Sequence, residues 1–301
     1  MLSCAALLAG LLRALRPHQW IKNLFVLAPL VFARELLDPP MALRAAAAFG
    51  LFCLAASSVY LVNDLLDVQA DRAHPVKRMR PIASGRVPLP VARTAAALLA
   101  IAALGGGWLL GPAFAATVLG YLVLNVAYST LLKRIPYVDV LCITAGFELR
   151  VLAGALAARV PASGYLLIAT ALLATFLGFG KRAHELSAAR GAEGHGASSR
   201  SVLARYSPRA LRILLASTAT ATVATYVVYT LDPATRAAFG TDWLVVTAIP
   251  GLFGVLRFVH LVRHRPRAES PTEEMLRDPP FLANLVLWVV AVVIVIYAGR
   301  F

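Results

Sequence analysis

Asn63-Asp-Leu-Leu-Asp-Val-Gln-Ala-Asp71 follows the apolar run 41–62 and opens directly into a basic loop, Arg72-Ala-His-Pro-Val-Lys-Arg-Met-Arg80. Asn63, Asp67 and Asp71 are spaced i, i+4, i+8, and Asp64 lies seven residues before Asp71. On a helix these positions share roughly one face. Carboxylates that close repel one another unless a cation sits among them. Oxygen-only ligands suit Mg²⁺, which keeps several waters and usually shares phosphate oxygens with a substrate. The stretch therefore predicts a magnesium–diphosphate site at a membrane surface. Acidic residues this dense beside an apolar span are costly without a function.

The rest of the 301-residue chain supplies the membrane. Hydrophobic residues make up 59% of it and its mean hydropathy is +0.74, both above the range of soluble domains. A helix crosses a bilayer with about 20 mostly apolar residues. Nine stretches qualify: about 21–37, 41–62, 91–110, 113–132, 137–157, 163–180, 209–231, 242–262 and 281–299. Pro29 interrupts the first, and Pro250-Gly251 predicts a kink in the eighth. The expected fold is an all-α polytopic bundle of nine spans with a polar cap, forming one domain over 1–301. The start, 1–12, is apolar before it is basic, the reverse of a secretory signal, and reads as a retained interfacial segment.

The net charge of +14 follows the loops. With the N-terminus inside, only Arg34, Arg44, Arg150, Arg159, Arg236 and Arg300 of the 29 Lys and Arg fall on the outer side. That asymmetry orients the chain with its basic loops in the cytoplasm, in a bacterial-type inner membrane. Because the basic residues sit between apolar spans, nucleic acid is excluded as a partner. Membrane lipids and phosphate-bearing substrates are the partners expected instead. The three cysteines, Cys4, Cys53 and Cys142, have neither metal-ligand spacing nor a disulfide framework.

Several side chains suit anion binding. Lys77-Arg-Met-Arg-Pro-Ile-Ala-Ser-Gly-Arg86 offers cations to phosphate oxygens, with Arg forking bidentately. His74, ahead of Pro75, reads as structural. Glu148 and Arg150 lie inside the fifth span, point apart on a helix, and need different partners. Gly191-Ala-Glu-Gly-His-Gly-Ala-Ser-Ser199 reads as a flexible connection or lid, with His195 solvated.

Asn63–Asp71 followed by Arg80-Pro-Ile-Ala-Ser-Gly85 resembles the first aspartate-rich motif of the UbiA superfamily of intramembrane prenyltransferases. Tyr128-Ser-Thr-Leu-Leu-Lys-Arg134 is similar to a second signature of that family. Ordinary members carry a second aspartate-rich motif between spans six and seven. Here that position reads Gly180-Lys-Arg-Ala-His-Glu-Leu186, with basic residues in place of most of the acidic ones. The departure, together with Arg16-Pro-His-Gln-Trp-Ile-Lys-Asn23, Gly146-Phe-Glu-Leu-Arg150 and the Ala-Asp-Arg-Ala-His-Pro75 run, resembles the decaprenyl-phosphate phosphoribosyltransferase branch.

That resemblance implies transfer of 5-phosphoribose from phosphoribosyl diphosphate (PRPP) to a polyprenyl phosphate, feeding arabinan-type cell-wall glycans. It implies Mg²⁺ as cofactor, with Asp67 and Asp71 as ligands and Asn63 and Asp64 supporting the metal or the sugar. Lys77 joins Asn63 and the two aspartates as a catalytic candidate. Lys22, Arg78, Arg80, Tyr128, Lys133, Arg150, Lys181 and Arg182 become candidates for phosphate or ribose contacts. Two alternatives remain open from the residues: prenyl transfer to an aromatic or quinone precursor, and a non-catalytic polyprenyl-phosphate carrier. The missing second acidic cluster argues against the first, and the magnesium face is superfluous to the second.

Overall fold

The computed structural model describes residues 4–191, 203–264 and 271–298, so the glycine- and serine-rich stretch with His195 lies outside the described residues. Those residues are helical or irregular, with no strand among them. Among the described residues eight helices are long and apolar enough to cross a membrane. Their starts are written into the sequence. Asp38, Ser207, Asp232 and Asp278 each precede a proline and accept the N–H of the third residue on, at 2.9, 3.4, 3.0 and 3.0 Å. A side-chain acceptor at the N-cap with proline at the first helical position satisfies the orphan donors of the first turn.

The helices gather into two compact units. The first unit comprises the described residues through Lys133 and Ala145–Ala162. It holds α1 (Cys4–Leu15), α2 (Ala28–Phe32), α3 (Pro39–Leu66), α4 (Val68–Ala73), α5 (Leu89–Leu110), α6 (Pro112–Thr130) and most of α7 (Val138–Ala158). Its core packs Val26, Phe52, Val59, Phe114, Val118 and Tyr121 against alanines 48, 55, 103, 153 and 157. Small residues let these backbones approach closely. At Gly111, φ is 143°, a conformation glycine adopts freely, and it turns α5 into α6 within a single residue. Arg44 closes the same end: its Nε donates to the Ala157 carbonyl (2.7 Å) and its Nη2 to that of Leu110 (2.6 Å). A cation thus meets the carbonyl ends of two helices.

The expected first span, 21–37, is not a regular helix. Pro17–Val26 is a 3₁₀ segment, followed by the five-residue α2. Its contacts nevertheless run antiparallel along α3. Arg16 meets Asp64, Trp20 Nε1 donates to Ser57 Oγ (3.0 Å), Asn23 Nδ2 reaches Cys53 Sγ (3.3 Å), and Leu30 packs with Ala45. The segment therefore traverses the length of α3 as a broken passage. Pro17, Pro29 and the buried polar side chains of Gln19 and Asn23 account for the break. Ten residues of 3₁₀ geometry is long for that form, and such stretches mark functional or strained sequence.

The second unit comprises Arg134–Thr144 and the described residues from Ser163 on. It holds the start of α7, then α8 (Gly164–Gly191), α9 (Pro208–Leu231), α10 (Pro233–Phe239), α11 (Ala248–His264), α12 (Pro271–Arg277) and α13 (Pro279–Tyr297). Val140, Phe176, Phe179, Tyr206, Leu211 and Phe258 lead its core. At the expected kink site Pro250-Gly251 helix α11 runs on without a break, and the change of helix type comes just before it: Trp243–Thr247 is 3₁₀ and α11 begins at Ala248. Pro250 then sits in the first α turn, where its missing N–H costs nothing.

Candidate active site

In the first unit the acidic stretch falls at a joint between helices. α3 ends at Leu66, Asp67 is the single residue between, and α4 starts at Val68. The break splits the face expected from the i, i+4, i+8 spacing. Asp64 and Asp71, both buried, converge on Arg80: its Nη1 lies 2.8 Å from Asp71 Oδ2 and 3.4 Å from Asp64 Oδ1. Arg16 Nη2 holds the same Asp64 oxygen at 2.6 Å and stacks over the Tyr60 ring. Asp67 turns elsewhere. Its carboxylate is 40% exposed and pairs with Lys133 Nζ at 2.9 Å. Asn63 Oδ1 accepts from the Ser129 hydroxyl. Every carboxylate of the stretch is thus matched to a cation, which relieves the repulsion that the spacing creates.

Local order explains how the cations arrive. Arg16 occupies a left-handed backbone conformation, φ 54°, at the turn between α1 and the 3₁₀ segment. A non-glycine residue held there is strained, and such strain concentrates at functional sites. The loop 72–86 is pinned beneath its charges by Ile82 and Val87, both fully buried against Ala14 and Leu61. Arg72 Nε ties it to the Ala83 carbonyl. His74 Nδ1 accepts the N–H groups of Val76 and Lys77, so the ring caps the turn. Lys77 and Arg78 form a short 3₁₀ turn, with Arg78 exposed and Lys77 half-buried. Lys22 and Tyr128 are also half-buried.

The intramembrane Arg150 belongs to a separate network of this unit. Its Nε donates to Asn23 Oδ1 (2.8 Å), Nη1 to the Gly146 carbonyl (2.7 Å) and Nη2 to the Tyr121 hydroxyl (2.9 Å). The Tyr121 and Phe147 rings lie against the guanidinium. Glu148 makes no ion pair with it among the described residues, as the i, i+2 spacing requires. Sequence reasoning missed Asn23 as the partner, because nothing in the spacing of 23 and 150 announces it.

The basic stretch Gly180–Glu185 lies on α8, in the second unit. Arg182 is 1% exposed and its Nε stands 2.6 Å from Asp139 Oδ2, while its Nη1 pairs with Glu185. Tyr206 donates its hydroxyl hydrogen to Asp139 Oδ1 (2.5 Å) and accepts the Tyr137 N–H (2.7 Å). Burial, and then that bond to a carboxylate, push the Tyr206 phenol well above the ordinary tyrosine range. The predicted phosphate ligand Arg182 is therefore engaged inside its own unit, whereas Lys181 beside it is only half-buried. Tyr206 carried no signal in the sequence beyond its place before the Ser207-Pro208 helix start.

Among the described residues no three carboxylate, imidazole or thiol groups meet at one point. Magnesium does not need three: it binds through one or two carboxylates plus substrate phosphates. Asp64 and Asp71 share one positive charge, that of Arg80, and their oxygens have the hard donor chemistry that such an ion requires.

Fold and site define an all-helical, multi-pass membrane protein with a cluster of buried carboxylates, paired to arginines, at the end of α3. The UbiA prenyltransferase family model matches residues 23–286, and the chain belongs to that family of transferases. It is 38% identical to the decaprenyl-phosphate phosphoribosyltransferase of Mycolicibacterium smegmatis, covering 97% of this chain and 93% of that protein. It is 36% identical to the protein of the same name from Mycobacterium tuberculosis, over 96% and 94%. Among solved structures, a UbiA homolog from Archaeoglobus fulgidus bound to GPP and Mg²⁺ superposes with a TM-score of 0.70 at 18% identity, over 95% of this chain and 99% of that one.

Proposed function

We propose that this chain transfers 5-phosphoribose from PRPP to a polyprenyl phosphate of the decaprenyl class, releasing diphosphate, at the cytoplasmic face of a bacterial-type inner membrane. The observation that carries the reading is the unequal pair of clusters. One is acidic, with Asp64 and Asp71 converging on a single cation position. The other is organised around a buried guanidinium. A donor with one metal-binding diphosphate and a separate 5-phosphate fits one acidic cluster. A reaction needing two metals around a prenyl diphosphate does not. The names of the near-full-length relatives support the same assignment.

Asp64 and Asp71 would hold Mg²⁺, with Asp67 able to join from the exposed side of the joint. The ion supplies charge neutralisation for the leaving diphosphate. Arg80 and Lys133, which pair with these carboxylates, offer donors to phosphate oxygens. Ser129 engages Asn63 Oδ1 and so leaves the amide N–H₂ to face the ribose hydroxyls. Lys22, Lys77, Arg78, Tyr128 and Lys181 are further proposed anion contacts, while Arg150 and Arg182 hold their own networks in shape. During transfer the ribose C1–O bond to diphosphate breaks and a bond from C1 to a lipid phosphate oxygen forms. A phosphate monoester is largely ionised near pH 7, its second pKa being about 6, so no strong general base is required. Positioning and electrostatics supply the acceleration.

The test incubates purified protein with Mg²⁺, PRPP labelled in the ribose and polyprenyl phosphate, then extracts lipid. Label should enter the organic phase, and chelation by EDTA should abolish it. Asp71→Asn should lower the rate by roughly 100-fold or more. Absence of label, with prenylation of an aromatic acid by a prenyl diphosphate instead, overturns the assignment.

A further inference from the structure

Helix α11 carries two histidines, His260 and His264, that the proposed reaction does not use. Phe258 and Val262 pack into the core of the second unit, and Leu261 is buried beside them, so the rotation of the helix is fixed. The two histidines face outward, both exposed. Residues spaced i, i+4 share one helix face. Here the imidazole rings stack, with centroids 4.3 Å apart and planes 21° from parallel. His264 Nδ1 lies 3.0 Å from the His260 carbonyl, which can only accept, so this nitrogen carries the hydrogen. In the neutral ring Nε2 then keeps its lone pair. Metal-binding imidazoles are set up in this way, with one ring N–H held by a carbonyl and the other nitrogen left for the ion. The His260 ring makes no hydrogen bond or ion pair among the described residues. Nearby cations do not close the position. Arg257, three residues before His260, is matched by Asp278 at 3.0 and 2.8 Å. Arg263 is exposed, so solvent screens its repulsion of another cation.

We infer that His260 and His264 form a two-imidazole site for a divalent transition-metal ion of the Zn²⁺, Ni²⁺ and Cu²⁺ class, which braces the turn of α11 between them. Imidazole suits these ions, whereas Mg²⁺ takes oxygen ligands, so the site differs in chemistry from the acidic stretch of the first unit. Two nitrogens held 2.0–2.1 Å from one ion at a tetrahedral angle stand about 3.3 Å apart. Ring centroids 4.3 Å apart reach that spacing by a small closing tilt of the side chains. The helix already aligns both ligands, so binding costs little further ordering. No third His, Cys, Asp or Glu joins them among the described residues, which leaves the remaining coordination positions to water. The site is independent of the transfer reaction proposed above.

The test uses the full chain without a polyhistidine tag, stripped of metal, at about pH 7.5, where imidazole with its pKa of about 6.5 is mostly neutral. Excess Mg²⁺ stays present to occupy the acidic stretch. Cu²⁺ is titrated in and read by electron paramagnetic resonance. Wild type should bind one Cu²⁺ per chain, with nitrogen hyperfine splitting from two imidazoles. His260→Gln and His264→Gln should each weaken that binding about tenfold or more. His18→Gln, at an exposed histidine of the 3₁₀ segment, should leave it unchanged. Zn²⁺ should raise the Tm of wild type and not that of either α11 variant. Binding of wild-type strength in both α11 variants, or a spectrum without the paired nitrogens, overturns the site. A Zn²⁺-induced rise in Tm that survives in both overturns the brace. A second arm needs no substitution: Cu²⁺ should protect His260 and His264 of wild type from carbethoxylation, mapped by mass spectrometry. Protection of neither histidine also overturns the site.

Discussion

Arg80 shows how one side chain sets the state of the acidic stretch. Its Nη1 bridges Asp71 and Asp64, so its charge offsets their repulsion before any ligand is present. Arg80→Gln should therefore weaken PRPP binding while tightening Mn²⁺ binding in the absence of PRPP, read by electron paramagnetic resonance of bound Mn²⁺. Unchanged metal affinity would show that the guanidinium does not compete for that position. Tyr206 acts through Asp139 in the second unit. Tyr206→Phe leaves a buried carboxylate oxygen one donor short, a loss of about 1–3 kcal/mol, visible as a lower Tm. The sign with pH follows from the raised phenol. Wild type keeps this hydrogen bond through neutral pH and loses its stabilisation only as pH climbs past the ordinary tyrosine value, about 10. The Phe variant should lack that alkaline loss.

At the scale of elements, the sequence was most legible where backbone chemistry is local. Asp-Pro and Ser-Pro pairs mark helix starts, and apolar length marks spans, so the eight regular crossings lie close to where hydropathy puts them. The segment 17–32 was not legible as it stands, because hydropathy averages over the prolines and polar residues that make it 3₁₀. The acidic face was half legible. Residue types and spacing point to a cation site, but one turn residue at Asp67 regroups Asp64 with Asp71, and spacing cannot foresee a helix joint. Gly154 illustrates packing that no pattern announces. A Cβ there would overlap the Val26 carbonyl, so α7 and the 3₁₀ segment touch backbone to backbone. Gly154→Ala should displace that segment, costing about 1–3 kcal/mol of stability. It should also raise the KM for PRPP, since Lys22 and Asn23 lie on the displaced piece. A Tm and KM matching wild type would show that the contact is not constraining.

Charge distribution is the property of the whole chain that the fold has to honour. Between the loop 72–86 and the segment around α10 the chain has five helices long and apolar enough to cross a membrane, α5, α6, α7, α8 and α9, and an odd number of crossings would put the two on opposite sides whatever the path of residues 17–32. The orientation we propose puts the basic loop in the cytoplasm, because positive loops are retained there. PRPP, a charged cytosolic metabolite by its chemistry, would meet the acidic stretch without crossing the membrane. Two exposed positions report this directly: Met79 in the basic loop and Ala237 in α10. Cys53 and Cys142 are buried and should stay silent toward bulky thiol reagents. In Cys4→Ser background, a membrane-impermeant maleimide should label Ala237→Cys in cells whose inner membrane is intact, and Met79→Cys only after that membrane is opened. The reverse pattern would put the acidic stretch on the far side of the membrane from its donor, and labelling of both in intact cells would contradict five crossings between them.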